Sequence, residues 1–134
     1  MKTILIADDD EDVRIVVRMR LDTHAYRLLE AGNGRDALNL ARSERPDLLI
    51  LDCAMPGLTG QEVVLALQKD AATAGIPVIM VTGKDAVPEV TALRQNGRIT
   101  LIAKPFSPRL LFEQIERLLR DPGAHMPYGF LAVF

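Results

Sequence analysis

The sequence predicts an open α/β domain in which five parallel strands alternate with five helices. Three observations lead there. Apolar runs of about four to six residues, rich in Ile, Leu and Val, do not alternate with polar residues, which is how strands covered on both faces read. The segments between the runs carry apolar residues at helical spacing. Four runs also stop at residues suited to phosphate chemistry: Ile4-Leu5-Ile6-Ala7 at Asp8 and Asp9, Leu48-Leu49-Ile50-Leu51 at Asp52, Val78-Ile79-Met80-Val81 at Thr82, and Leu101-Ile102-Ala103 at Lys104.

The first run is followed by Asp10, a fitting N-cap, and by a helix with Val13, Val16, Val17 and Leu21 on one face while Arg14 and Arg18 point away. A weaker strand, Tyr26 to Ala31, leads through the turn Gly32-Asn33-Gly34 into a helix bearing Ala37, Leu38 and Ala41. After the run ending at Asp52, Val63, Val64 and Leu67 share a helix face beyond Gly60. The segment Val87 to Gln95 carries the poorest helical pattern, because Pro88 must sit in its first turn and Thr91 is β-branched. Leu111, Ile115, Leu118 and Leu119 mark the last helix, after Ser107.

Alternating strands and helices mean right-handed crossovers between parallel strands. Every strand then points the same way, so the residues that follow the strands share one edge. Open sheets of this kind place ligands beyond the carboxyl ends of the strands, where strand order reverses. Carboxylates crowded there resist ionising together unless a cation sits among them. A hard ion that takes carboxylate and phosphate oxygens and keeps several waters is Mg²⁺. A lysine supplies a point charge for a phosphoryl oxygen, a threonine hydroxyl a hydrogen bond, and a carboxylate can itself be the nucleophile, giving an aspartyl phosphate.

Composition narrows the function classes. At 134 residues and 49% hydrophobic content the chain suits one domain with a substantial core. A net charge of -2, with acidic and basic residues interspersed, offers no basic stripe, so direct nucleic-acid binding is not expected. The single cysteine, Cys53, excludes an internal disulfide. No stretch approaches the roughly 18 consecutive apolar residues of a membrane span, and the N-terminus runs straight into a strand pattern. A cytoplasmic protein without a membrane partner is the expectation.

Four motifs in register with these elements resemble the receiver domain of two-component response regulators. They are Ile4 to Asp10 with its acidic pair, Leu49-Ile50-Leu51-Asp52 followed by Met55-Pro56-Gly57 and Gly60, Val81-Thr82-Gly83, and Lys104-Pro105-Phe106. The resemblance runs from about Thr3 to Arg120. It implies a flavodoxin-like (βα)5 fold, a doubly wound parallel five-stranded sheet of order 2-1-3-4-5. It also implies that Asp52 accepts a phosphoryl group from a phosphohistidine of a sensor kinase or phosphotransfer protein. Asp9 and Asp52 would ligate Mg²⁺ directly, the carbonyl of Ala54 would be a third ligand, and Asp8 would act through a bound water. Lys104 would pair with the phosphate across a cis bond to Pro105, and Thr82 would move toward the new oxygens. Such a domain is a regulatory phosphoacceptor and no enzyme beyond its own phosphorylation and dephosphorylation. An output domain or protein, and a homodimer through the fourth helix, fifth strand and fifth helix, complete the implied partners.

Two positions depart from the family pattern. Leu101 stands where an aromatic residue is usual three positions before the lysine, so phosphorylation is expected to change the face of the fourth helix, fifth strand and fifth helix less than usual, or to act through Arg98 and Leu101 themselves. Gly83 stands where alanine is common. The two positions that tune phosphoryl lifetime in the family, two residues beyond Asp52 and two beyond Thr82, are Ala54 and Lys84 in this chain. Cys53, Met55 and Met80 read as packing, and His24 and His125 as isolated surface residues. The rivals are a Mg²⁺-dependent phosphohydrolase of the haloacid dehalogenase type, using Asp8 and Asp10, and a receiver that only binds partners. The first places Asp12 where a small β-branched residue is needed, and it leaves Asp52 unexplained. The domain spans 1–121. Residues 122–134 form a hydrophobic tail that docks on the domain, pairs with another chain, leads toward a further domain or is a cloning remnant, since Gly123-Ala124-His125-Met126 resembles a cloning junction.

Overall fold

The computed structural model describes residues 1–21, 25–83 and 99–120 together with the backbone of 130–131. The predicted helix from Val87 to Gln95, along with His24, Lys84, Arg98 and His125, lies outside them. Strand β1 (Lys2–Ala7) pairs with β2 (Tyr26–Ala31) on one side and β3 (Leu48–Asp52) on the other, and β4 (Val78–Thr82) and β5 (Ile99–Ala103) follow. All these pairs are parallel and their order is 2-1-3-4-5, as the resemblance implies. A two-residue strand, β6 (Phe130–Leu131), adds to the outer edge of β5, so the sheet has six strands where the sequence led to five. The unpaired amides and carbonyls of an edge strand accept any extended segment delivered to them, and no strand pattern in the sequence has to announce it.

Four helices are described: α1 (Glu11–Arg20), α2 (Gly34–Glu44), α3 (Gly60–Gln68) and α4 (Pro108–Arg120). Successive strand residues point to opposite faces, and both faces are apolar. Ile4, Ile6, Ile50, Ile79 and Ile102 pack with Val17 of α1 and with Leu111, Ile115 and Leu118 of α4. Leu5, Leu49, Leu51, Met80 and Leu101 pack with Ala37, Leu38 and Ala41 of α2 and with Val63, Val64 and Leu67 of α3. Two of the described helices therefore cover each face, and strands covered on both faces show no polar alternation.

Side-chain oxygens close the helix starts. Asp10 accepts from the Asp12 amide at 2.9 Å, as its N-cap reading requires, and Asn33 accepts from the Asp36 amide at 2.8 Å. Thr59 and Glu62 form a reciprocal capping box at α3 that apolar spacing alone did not reveal. On α1 the structure corrects the wheel: Val17 is buried, but Val16 is 46% exposed. At about 100° per residue Val16 lies on the flank of the stripe made by Val13, Val17 and Leu21.

Close packing around the loop after β3 rests on two glycines. A Cβ at Gly60 would come within 2.5 Å of the Asp52 carbonyl oxygen, and one at Gly34 would run into the Leu58 carbonyl. At Gly83 an added Cβ meets nothing within 4 Å among the described residues. Gly34→Ala is therefore expected to destabilise by roughly 1–3 kcal/mol through overpacking against backbone. Gly83→Ala is expected to be neutral or to stabilise by up to about 1 kcal/mol through the unfolded chain. Urea unfolding midpoints check the pair, and equal midpoints would mean that α2 does not press on Leu58.

Candidate functional site

Because the strands are parallel, their carboxyl ends form one rim. The chain leaves β1 toward β2 and returns to β3 on the other side, which opens a crevice beyond β1 and β3. Asp8 and Asp9 follow β1, Asp52 ends β3, Thr82 ends β4 and Lys104 follows β5. The ladder continues past the strand ends: the Cys53 amide donates to the Val81 carbonyl at 3.0 Å, and the Lys104 amide to the Thr82 carbonyl at 2.7 Å. These bonds hold the rim residues in register.

The side chains converge. Carboxylate oxygens of Asp8, Asp9 and Asp52 lie within 4.8 Å of one another. Lys104 Nζ is 3.3 Å from Asp52 Oδ2 and 3.8 Å from Asp8 Oδ2. Asp8 and Asp52 are buried whereas Asp9 is exposed, so the cluster has a wet side and a dry side. The Asp10 amide donates to Asp8 Oδ1 at 2.9 Å, and the Ala54 amide donates to Asp52 Oδ1 at 3.3 Å. Thr82 is fully buried and its hydroxyl donates to the Gly83 carbonyl at 3.1 Å. The Lys104-Pro105 bond is cis. Asp8, Asp9, Asp52, Thr82 and Lys104 thus sit on one rim, and Ala54 adjoins them through the bond of its amide to Asp52.

Three carboxylates facing one ammonium leave a surplus of negative charge. Burial pushes the Asp8 carboxyl up to about 6, with the Asp52 charge adding to the rise, while the Asp10 amide and Lys104 oppose it. A divalent cation would relieve this crowding. The available donors are hard carboxylate oxygens: burial pushes the neighbouring Cys53 thiol up to about 11, so it stays protonated at neutral pH and offers no thiolate. That donor chemistry fits Mg²⁺ better than a softer metal, with Asp8, Asp9 and Asp52 as the residues to hold it.

Sequence periodicity misplaced one neighbour of the site. Arg14 is half-buried and does not point away from the fold. Its guanidinium lies over Gly32 in the turn after β2, and its Nε is buried without a hydrogen bond among the described residues. A side chain that long can bend across a helix flank, and only the missing side chain at Gly32 hinted at room for it.

The Asp8 shift has a sign. A carboxyl at 3.8 when unfolded and about 6 when folded holds an extra proton in the folded state between those values. The contribution of Asp8 to the stability of the metal-free protein therefore falls as pH rises from about 4 to about 6, and its penalty, on the order of a few kcal/mol, is present in full above that window. Asp8→Asn is expected to raise the urea midpoint at about pH 7.5 and to flatten this fall, while weakening Mg²⁺ binding measured by calorimetry. An unchanged midpoint at that pH would remove burial as the cause.

Comparison with known proteins agrees with this geometry. The family described as Response regulator receiver domain matches residues 4–116. The Pseudomonas aeruginosa phosphate regulon transcriptional regulatory protein PhoB is 37% identical over 122 residues, 91% of this chain, but the chain spans only 53% of PhoB. Protein PilH of the same organism is 37% identical over 119 residues, 89% of this chain and 98% of PilH. Among solved structures, the chemotaxis response regulator CheY4 of Vibrio cholerae superposes with a TM-score of 0.78 at 30% identity, over 88% of this chain and 98% of that one. A chain matched over residues 4–116 and aligned with PilH along nearly all of that protein's length belongs to the receiver domain family of two-component response regulators.

Proposed function

We propose that the domain, residues 1–121, is a phosphorylation switch in which Asp52 is the acceptor. The observation that carries this reading is the placement of Lys104 Nζ at 3.3 Å from Asp52, beside two further carboxylates suited to a divalent cation. A carboxylate oxygen of Asp52 attacks the phosphorus of a phosphohistidine. The new O–P bond forms as the P–N bond breaks, and the electron pair leaves on the imidazole. Asp52 is oriented for this by the Ala54 amide. Lys104, already near the carboxylate, is positioned to pair with a phosphoryl oxygen. Mg²⁺, when bound, supplies positive charge opposite the transferred group. Asp9 and Asp52 would hold it with the Ala54 carbonyl, and Asp8 would act through a water.

Thr82 reads the result. Its hydroxyl, now spent on a backbone carbonyl, would turn to a phosphoryl oxygen and carry the change into β4 and β5. Leu101, fully buried and paired across the sheet with Met80, has no aromatic ring to swing, so output passes through strand and loop displacement. A sensor histidine kinase or a histidine phosphotransfer protein is the donor, and an output protein or attached domain the reader. The setting is the cytoplasm. No described helix is long and apolar enough to cross a membrane.

The phosphohydrolase reading needs Asp10 at the crevice. Asp10 instead caps α1 by accepting from Asp12, which favours the receiver reading. Intact mass after incubation with Mg²⁺ and acetyl phosphate or phosphoramidate tests it. A gain of one phosphoryl group that survives Asp8→Asn and is lost in Asp52→Asn is expected. Phosphomonoester turnover that depends on Asp8 would sink the proposal, and no phosphoryl gain at all would leave a partner-binding domain in its place. Lys104→Ala is expected to slow uptake by roughly 10²-fold, the scale of one lost charge-stabilising donor, measured as the initial rate of the mass shift.

A further inference from the structure

Cys53 is buried next to Asp52 yet takes no part in phosphoryl transfer. Its neighbours follow from strand register. Asp52 pairs with Val81 in the parallel ladder, and the Cys53 amide then donates to the Val81 carbonyl at 3.0 Å, which sets Cys53 beside Thr82. Successive strand residues alternate between faces, and register partners here share one: Leu51 and Met80 belong to the apolar cluster under α2 and α3, Ile50 and Ile79 to the one under α1 and α4. Cys53 belongs to the first cluster and Val81 to the second. Thr82, next after Val81, therefore lies on the face of Cys53, while Asp52, between Leu51 and Cys53, lies on the other. We propose that Cys53 is a positioning residue for the switch: its thiol holds the Thr82 hydroxyl in a resting place on that face and gives it up when a phosphoryl group arrives on Asp52. The proposal rests on the reading of Thr82 as the group that senses the phosphoryl oxygens.

A buried hydroxyl and a buried thiol set side by side among apolar residues have few other partners. A threonine hydroxyl has one donor and two acceptor sites. Thr82 gives its donor to the Gly83 carbonyl at 3.1 Å, which leaves lone pairs for the S–H of Cys53. Burial pushes the thiol up to about 11, so it keeps this proton at neutral pH, and Thr82, within hydrogen-bonding reach, is the largest influence opposing the rise. A thiol is a weak donor. That weakness suits a hold that a phosphoryl oxygen has to break, since a bond to a charged oxygen is roughly twice as strong as a neutral one. A hydroxyl in place of the thiol would hold Thr82 more firmly, and a methyl would not hold it at all.

Beryllofluoride, which with Mg²⁺ takes the phosphoryl position on a carboxylate, reads the cost of releasing Thr82, because apparent affinity falls with the fraction of molecules in the competent state. Titrations use the full chain. Cys53→Ala is expected to tighten beryllofluoride binding roughly two- to fivefold and Cys53→Ser to weaken it by a similar factor, the scale of one weak hydrogen bond. In a Thr82→Val background the two are expected to bind equally. The chain has one cysteine, so the S–H stretching band in Raman spectra belongs to Cys53 alone. Its frequency is expected to rise in Thr82→Val, and to rise in the unmodified chain when Mg²⁺ and beryllofluoride are added. Cooperative urea transitions show that the variants are folded. A band that Thr82→Val does not move overturns the contact, and one that beryllofluoride does not move overturns the release. Affinity changes of the same sign in both Cys53 variants reduce the residue to packing. If Thr82→Val binds beryllofluoride as tightly as the unmodified chain, the reading of Thr82 as sensor fails and the hold loses its function, while the band still records whether the contact exists.

Discussion

The salt bridge from Lys104 to Asp52 holds together a rim that would otherwise repel itself. Asp8, Asp9 and Asp52 bring three carboxylates within 4.8 Å, two of them buried, and like charges at that range disfavour one another's ionisation. One ammonium at 3.3 Å and 3.8 Å offsets part of this, yet burial, with the Asp52 charge adding to it, still raises the Asp8 carboxyl. The remaining imbalance is the property that suits the crevice to a divalent cation and, across it, to a phosphoryl group. A rim neutralised within the protein would have no such appetite.

Keeping such a cluster intact is the task of the rest of the fold. The strands beneath are buried on both faces, with α1 and α4 on one side and α2 and α3 on the other. Buried branched side chains in a close-packed sheet allow little displacement, so the rim residues stay at fixed distances despite their repulsion. Amide-to-carbonyl bonds from Cys53 to Val81 and from Lys104 to Thr82 extend that rigidity past the last strand residues. Gly60 lets α3 approach the Asp52 backbone closely enough for its amide to bond the Cys53 carbonyl at 3.0 Å. Local destabilisation at the site is thus set on a rigid base, the usual arrangement for a group that must change state without unfolding its surroundings.

Much of this was legible in the order of residue types. Asp8, Asp52, Thr82 and Lys104 each end an apolar run, and parallel strands turn that linear coincidence into a spatial one. Asp10 was legible as a cap because capping is a local interaction between neighbours in the chain. Arg14 and Val16 were misread because a helical wheel assigns directions to Cβ atoms and says nothing of where a long side chain bends or how wide the covering partner is. The sixth strand was invisible for a related reason: two residues carry no period, and their place depends on an edge made by β5.

The sequence by itself determined the chemical identity of the rim and the direction of the strands, because hydrophobic period, caps and turn residues act over a few positions. Only the tertiary structure decided the rest: that Lys104 reaches both Asp8 and Asp52, that Asp8 rather than its exposed neighbour Asp9 is pushed up by burial, and that β5 is covered by the chain's own later segment. Desolvation and Coulomb interaction depend on which atoms surround a group, and residues distant in the chain supply those atoms. Periodicity orders the elements, and the environment of each charge exists only once they have packed.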